Sequence, residues 1–185
     1  NVYFKKRDIL KPNLVVTRSF ERVYNISLVL KAYKTIKLKY PEASLRLIGD
    51  GSLKNELVSL SKKLNLKDIT FVGRVENKHI GDELNKSDIF INPSTKDSFA
   101  ISMFEAFACG LPVISTNVGA IPDFIKDNEN GFLIDSNSVE QLINKIIYIL
   151  NNQDEVQKII YNGYQTFEQL TLNNLKSEYL KLYKL

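Results

Sequence analysis

The residues of this chain that could do chemistry begin with two carboxylates, Asp97 and Glu105, eight positions apart in D-S-F-A-I-S-M-F-E. Around them Phe99, Met103, Phe104 and Phe107 recur at helical spacing, and Gly110 before Leu111-Pro112 is a helix stop. Ser98, Ser102 and Glu105 fall on the other face of that helix. The apolar run Asp88 to Ile91 is closed by Asn92-Pro93, and Pro112 to Ser115 starts another, so the stretch reads strand, loop, short helix, strand. Two readings follow. In one, Asp97 caps the helix and Glu105 is a solvated outer-face residue. In the other, both carboxylates face a ligand. The helix is hydrophobic enough to be largely buried, and its start follows a strand end in an α/β pattern. Anions and nucleotide ligands sit there in open parallel sheets.

The elements that must position these residues alternate along the chain. Asn13 to Thr17 is a buried-type strand, and Asn25 opens a helix whose Ile26, Val29, Leu30, Tyr33, Ile36 and Tyr40 share a stripe ended by Pro41. Ser44 to Ile48 is the next strand. Gly49-Asp50-Gly51 turns it into a helix marked by Leu53, Leu57, Leu60 and Leu64. Ile69 to Val72 is a strand, followed by a short helix from about Lys78 to Asn85. After the carboxylate stretch come a loop with Gly119 and Ala120, a short helix over Ile121 to Lys126, and a last strand, Gly131 to Ile134. The alternation predicts an α/β fold: a Rossmann-like doubly wound parallel sheet with helices on both faces. Beyond it, Ser138 with Gln141 forms a capping box, and Val139, Leu142, Ile143, Ile146 and Leu150 form a helical stripe. Further helices are expected over Glu155 to Phe167 and Leu172 to Tyr183.

At 185 residues the chain is long enough for one well-filled domain. Its apolar fraction of 44% and charged fraction of 25% are those of a globular protein. No run of apolar residues is long enough to span a bilayer, and the start carries no signal-peptide pattern. One cysteine, Cys109, and one histidine, His79, exclude an internal disulfide, a zinc cluster and a Cys-His dyad. Gly49-Asp50-Gly51 lacks the third glycine of a dinucleotide fingerprint and follows the second strand, so it is a tight turn rather than an NAD site. The net charge of +4 permits contact with anionic lipid or phosphate and does not single out nucleic acid. Met103 is the one methionine, from which we expect a piece of a longer protein. Residues 1–12, with Lys5-Lys6-Arg7 and Lys11-Pro12, read as a linker into a domain spanning 13–185 that includes C-terminal helices over 137–185.

D-S-F-A-I-S-M-F-E-A-F-A-C-G-L-P-V-I resembles the signature of retaining GT-B glycosyltransferases of family 4, also called glycosyl transferases group 1. That signature is Glu, seven residues, Glu, then commonly Ala-x-Ala-x-Gly-x-Pro-Val. The spacing is kept, with Asp97 in the first position, and the resemblance extends from about Asn13 to Ile134. It implies the C-terminal, donor-binding domain of a two-domain enzyme that moves a sugar from a nucleoside diphosphate to a saccharide or lipid-linked acceptor. Surface polysaccharide or glycolipid assembly is the implied pathway. The N-terminal domain that holds the acceptor would then be missing, the isolated chain inactive, and the location cytoplasmic, with peripheral membrane contact at the inner face allowed.

By the same resemblance Arg18 binds the diphosphate, Glu105 accepts hydrogen bonds from the ribose, and Asp97 accepts from donor-sugar hydroxyls. Asp is shorter than Glu by one carbon–carbon bond, about 1.5 Å. The family's assisting Lys is absent from T-R-S-F-E-R-V-Y-N-I, which has Tyr-Asn in place of Lys-Gly, and Arg22 or another residue must compensate. Ser98 and Ala100 replace common glycines of the loop. Backbone groups through Phe99 and Ile101 at the helix start would face the diphosphate, Arg74 would touch phosphate or base, and backbone near Val72 would meet the base. A helix N-terminus contributes only about 0.3–1 kcal/mol for an exposed anion, so a cation is required. No metal or cofactor is expected, because no Asp-x-Asp pair stands near a strand end. Two alternatives remain open: a sugar-nucleotide epimerase-like protein on the same fold, and a non-catalytic nucleotide-sugar-binding half.

Overall fold

The computed structural model describes residues 4–98 and 100–170. Six strands form one parallel sheet in the order β3-β2-β1-β4-β5-β6. They are β1 (Asn13–Thr17), β2 (Ser44–Ile48), β3 (Ile69–Gly73), β4 (Ile89–Asn92), β5 (Val113–Thr116) and β6 (Phe132–Ile134). The helices are α1 (Ile26–Lys39), α2 (Lys54–Lys63), α3 (Ile80–Leu84), α4 (Ile101–Ala108), α5 (Ile121–Phe124), α6 (Val139–Asn151) and α7 (Gln153–Gln169). Strand order reverses between β1 and β4, and at such a switch point an open α/β sheet leaves a crevice beyond its carboxyl ends.

The sheet forms because its central strands are apolar on both sides. In β1, Leu14 and Val16 join one core, while Val15 points into the other, and all three are fully buried. The first core lies under α1, α2 and α6, whose stripes supply Ile26, Val29, Leu30, Tyr33, Leu57, Leu142 and Ile146. The second lies under α3, α4 and α5 and holds Ile80, Leu84, Met103, Phe104, Phe107 and Ile121. Helix α7 contributes to both: Val156, Ile159 and Ile160 to the first, and the partly buried Phe167 to the second.

Several local expectations change. The segment near Lys78 is a 3-10 turn (Asn77–His79) leading into α3. In α6 the inward residues are Leu142, Ile146 and Ile149, whereas Val139, Ile143 and Leu150 are only partly buried. The capping box is half formed. Ser138 Oγ accepts from the Gln141 N–H, but the Gln141 amide turns to Asp135, accepting from its N–H and donating to its carboxylate. The helix expected over Leu172 to Tyr183 lies outside the described residues. The lead-in segment is docked on the domain from Lys5 onward. Arg7 is 5% exposed, and its guanidinium donates to the carbonyls of Lys5, Ser87, Cys109 and Gly110 and to Asn85 Oδ1.

Candidate active site

The loop between β4 and α4 carries Asp97, and its shape decides what Asp97 can do. Helix α4 starts at Ile101 with Ala100 as N-cap, so Asp97 does not cap it. Instead the Asp97 carbonyl accepts from the Ala120 N–H, which ties the loop to the turn after β5. Gly119 in that turn has φ +56°, and a Cβ there would sit 1.8 Å from the Asp97 carbonyl oxygen. Any side chain at 119 would push the loop away. With the loop held, the Asp97 carboxylate reaches back to the end of β1, where Arg18 Nη2 donates to Oδ2 at 2.5 Å.

Arg18 is fixed from a second side. Its Nε donates to Asn92 Oδ1 at 3.0 Å, and Asn92 in turn donates to Ser115 Oγ. Strand tips β1, β4 and β5 are thereby joined by side chains. The guanidinium carbon lies 5.4 Å from the Tyr24 ring centroid, a cation–π distance. Both members of the Arg18–Asp97 pair are largely shielded, with side chains 12% and 9% exposed. Burial lowers the Arg18 pKa from its ordinary value, and Asp97, Tyr24 and Glu105 oppose that shift. The Nη1 donors meet no acceptor among the described residues.

Glu105 lies on α4, facing Arg18 across an open crevice of about 310 Å³ whose walls also include Thr17, Asp50, Arg74 and Ser102. Burial pushes the Glu105 carboxyl above the usual carboxylate range, against the opposing pull of Arg18. It is not the solvated outer-face residue of the plainer reading. On the other side of the Arg18–Asp97 pair a second open hollow is lined by Tyr24, Thr95, Lys96, Asp97, Ser98 and Gly119. The pair stands between the two hollows. The arrangement offers two hydrogen-bond acceptors, Asp97 and Glu105, flanking a cation with spare donors. That is a constellation for a polyhydroxylated anion.

Arg18, Asp97, Glu105 and Arg74 converge, Arg74 as an exposed residue on the rim just past β3. Ser98 is exposed in the second hollow, Ala100 is fully buried, and Ile101 is 62% exposed at the start of α4. Phe99 lies outside the described residues. Val72 is partly buried against the core beneath α4 and does not line the crevice. Arg22 stands apart. It lies on a 3-10 turn (Arg22–Tyr24) and lines a different hollow with Glu21, Asn25, Leu53 and Glu56. Asn92 and Tyr24, which position Arg18, had no signal beyond a strand end before proline and the Tyr-Asn pair in the loop. Among the described residues no group of three His, Cys, Asp or Glu side chains comes together that could hold a metal ion. No helix of the described residues is long and apolar enough to cross a membrane.

Residues 4–166 match the family model described as glycosyl transferases group 1. The chain is 28% identical over 172 residues to the N-acetyl-alpha-D-glucosaminyl L-malate synthase of Bacillus anthracis, covering 92% of this chain and 44% of that protein. It is 30% identical over 134 residues to a sulfoquinovosyl transferase of Arabidopsis thaliana, covering 71% of this chain and 26% of the relative. The chain thus spans less than half the length of these relatives. Among solved structures, the Anabaena protein HepE in complex with UDP superposes with a TM-score of 0.82 at 19% identity, covering 94% of this chain and 49% of that one. The C-terminal domain of a glycosyl transferase group 1 family protein from Francisella tularensis gives 0.78 at 22% identity, covering 91% and 94% of the two chains. With the family model matched over most of its length, the chain belongs to the glycosyl transferases group 1 family.

Proposed function

We propose that this chain is the donor-binding half of a retaining, family 4 transferase of hexosyl groups. In this reading the crevice takes a nucleoside-diphosphate sugar, and a preceding N-terminal domain, joined through residues 1–12, brings a saccharide or lipid-linked acceptor. The observation that carries it is the meeting of Arg18, Asp97 and Glu105 at the β1–β4 switch point. Each has a task there. The diphosphate leaves as an anion, and Arg18 offers unused donors to its oxygens. Glu105 accepts from the ribose hydroxyls, and Asp97 holds the hydroxyls of the sugar while fixing Arg18. During transfer the bond from the sugar carbon to the diphosphate oxygen breaks, a bond to the acceptor oxygen forms, and the acceptor proton passes to the departing diphosphate.

Surface polysaccharide or glycolipid assembly at the cytoplasmic face of a membrane is the setting we propose, with the modest positive charge allowing contact with anionic lipid. Donor binding is proposed to need no metal, because Arg18 and the N–H groups at the start of α4 supply the countercharge. Alone, the chain binds donor but transfers nothing, since one wall of a cleft neither positions an acceptor nor excludes water. Ligand-detected NMR with UDP-, GDP- and ADP-sugars, with and without EDTA, tests the reading. One nucleotide class should bind equally in both conditions. Failure of all three sinks the donor site, and a loss with EDTA that Mg²⁺ reverses sinks metal independence. Transfer by this chain alone, read by mass spectrometry, would overturn the half-enzyme assignment, and an epimerised sugar nucleotide would favour the epimerase-like alternative.

A further inference from the structure

Among the described residues four buried side-chain polar atoms lack a hydrogen-bond partner: Thr17 Oγ1, Arg46 Nε, Ser87 Oγ and Ser102 Oγ. Two of the four belong to residues lining the Arg18–Glu105 crevice. A buried hydroxyl without a partner costs folding free energy, so such a group in a folded chain calls for an explanation.

The strand periodicity shows how this pair arises. On the α4 side of the sheet β1 presents Val15 and then Thr17, β4 presents Phe90 and then Asn92, and β5 presents Val113 and then Ser115. Each strand therefore changes from apolar to polar at its carboxyl tip. Asn92 and Ser115 satisfy each other, and Asn92 also holds Arg18. Thr17, the third member of the layer, is left without a partner. Opposite it, Ser102 lies one turn before Glu105, on the same face of α4. Ser102 is 8% exposed and sits in the first turn of the helix, where backbone N–H groups have no intrahelical acceptor. Two unpartnered hydroxyls, from a strand tip and from a helix start, thus flank the free donors of Arg18.

We propose that the Thr17 and Ser102 hydroxyls are binding contacts for the diphosphate, donating to its oxygens alongside Arg18. The proposal rests on the donor-site reading above and names residues that reading does not use. An oxyanion suits the place because the groups left unsatisfied beside Arg18 can donate: two hydroxyls, the Arg18 Nη1 and the first N–H groups of α4, while Glu105, one turn further on, is left to accept from the nucleoside. Hydroxyl donors to a charged oxygen are short and strong, and they add two further fixed points to the one that the held Arg18 guanidinium gives.

The experiment uses Thr17→Val and Ser102→Ala, which remove a hydroxyl and keep most of the shape. Two quantities are measured: thermal unfolding of the ligand-free chain, and affinity for whichever of UDP, GDP and ADP the wild type binds, beside the matching nucleoside. Each variant should leave the ligand-free midpoint unchanged or higher, because an unsatisfied group is gone. Each should weaken diphosphate binding about tenfold or more, the worth of one hydrogen bond to a charged group, and leave nucleoside binding unchanged. Thr17→Ser restores the hydroxyl and should restore affinity. A fallen midpoint would show a protein partner for the hydroxyl and overturn the proposal. So would unchanged diphosphate affinity, or an equal loss for the nucleoside. A wild-type chain that binds none of the three diphosphates overturns the donor-site reading itself and this proposal with it. Diphosphate binding that survives both substitutions overturns the hydroxyl contacts alone.

Discussion

Two arginine–aspartate pairs lie at opposite ends of this sheet, and they are built differently. Arg7 and Asp88 close the end where β4 and β5 begin, with Nε 3.5 Å from Oδ1. The Arg7 side chain is 2% exposed, and its donors are spread over four carbonyls and Asn85 Oδ1. Asp88 also accepts from Asn13 Nδ2. Every nitrogen of the Arg7 guanidinium is engaged, although the neighbouring Ser87 hydroxyl is not. Arg18 and Asp97 close the other end, and they are not saturated: among the described residues Nη1 is unused and the nearby Glu105 carboxylate accepts no hydrogen bond. Burial lowers the pKa of both arginines, so desolvation alone does not tell them apart. Unspent hydrogen-bonding capacity does. A saturated pair holds the fold, and an unsaturated pair next to a crevice awaits a ligand.

The largest test of that distinction is Arg7→Ala. Breaking a buried ion pair by removing one partner costs about 3–5 kcal/mol, because the other charge stays buried. Here several carbonyls, including those of Cys109 and Gly110, also lose their donor. Denaturant unfolding should show a loss of that size, with nucleotide affinity of the folded fraction intact. A loss below about 1 kcal/mol would mean the pair is not structural and would end the comparison.

Arg18→Ala should invert the pattern. A charge-assisted contact is worth roughly 1.5–3 kcal/mol, so diphosphate affinity should drop about ten- to a hundredfold. The unfolding midpoint should fall less than for Arg7→Ala, since water in the open crevice reaches what Arg18 leaves behind. Titration calorimetry beside thermal unfolding separates the two effects. Intact affinity with a midpoint as low as that of Arg7→Ala would make both pairs structural.

Much of this layout is legible in the chain itself, and the reason is locality. Each strand is a short apolar run with Gly, Pro or Asn punctuation, and β1 and β2 fall where the runs predict. Arg18 and Glu105 are legible because one directly follows a strand and the other lies on a helix that follows a strand end. What pairs with them is not. The Arg18–Asp97 pair joins positions 79 residues apart, and Arg7 reaches the Cys109 carbonyl across 102. No local pattern records such a contact, so Arg7 looks like linker charge and Asn92 like a strand terminator. The start of α4 is hidden for a similar reason: the turn at Gly119 holds the loop before it, three positions past the end of β5.

Glu105→Gln gives a smaller effect whose sign depends on pH. Burial holds the Glu105 carboxyl above its ordinary range. A carboxyl with a raised pKa stabilises the folded chain below the ordinary carboxylate range, and that contribution is lost as pH rises through the raised value. The wild type should therefore lose stability over that window, while Glu105→Gln does not, so the gap between them widens with pH. Binding runs the other way. Nucleotide affinity of the wild type should rise as Glu105 ionises, and the variant should be flat and about fivefold weaker at neutral pH, the difference between a charged and a neutral acceptor. Parallel pH profiles of unfolding for the two proteins would show that Glu105 is not desolvated.

Arg22→Ala carries the smallest expected effect and sharpens the contrast. Arg22 is the arginine that either of two arrangements could have recruited, since it lies only four positions past Arg18. A helical continuation from β1 would have put both guanidinium groups on one face. The chain does not continue that way. Glu21 is extended, with φ −117° and ψ 155°, and the 3-10 turn after it directs Arg22 into the hollow beside Leu53 and Glu56. There it is exposed and forms no ion pair among the described residues. It is neither saturated like Arg7 nor aimed at the crevice like Arg18. Surface substitutions of that kind stay within about 0.5 kcal/mol, so stability should hold and diphosphate affinity should change by less than about threefold. Titrations at two salt concentrations separate a contact from a distant field, because a field effect fades with screening. A tenfold loss that persists at high salt would place Arg22 on the ligand. The turn would then have to move when donor binds, and unspent capacity would no longer distinguish the arginine at the site from the one beside it.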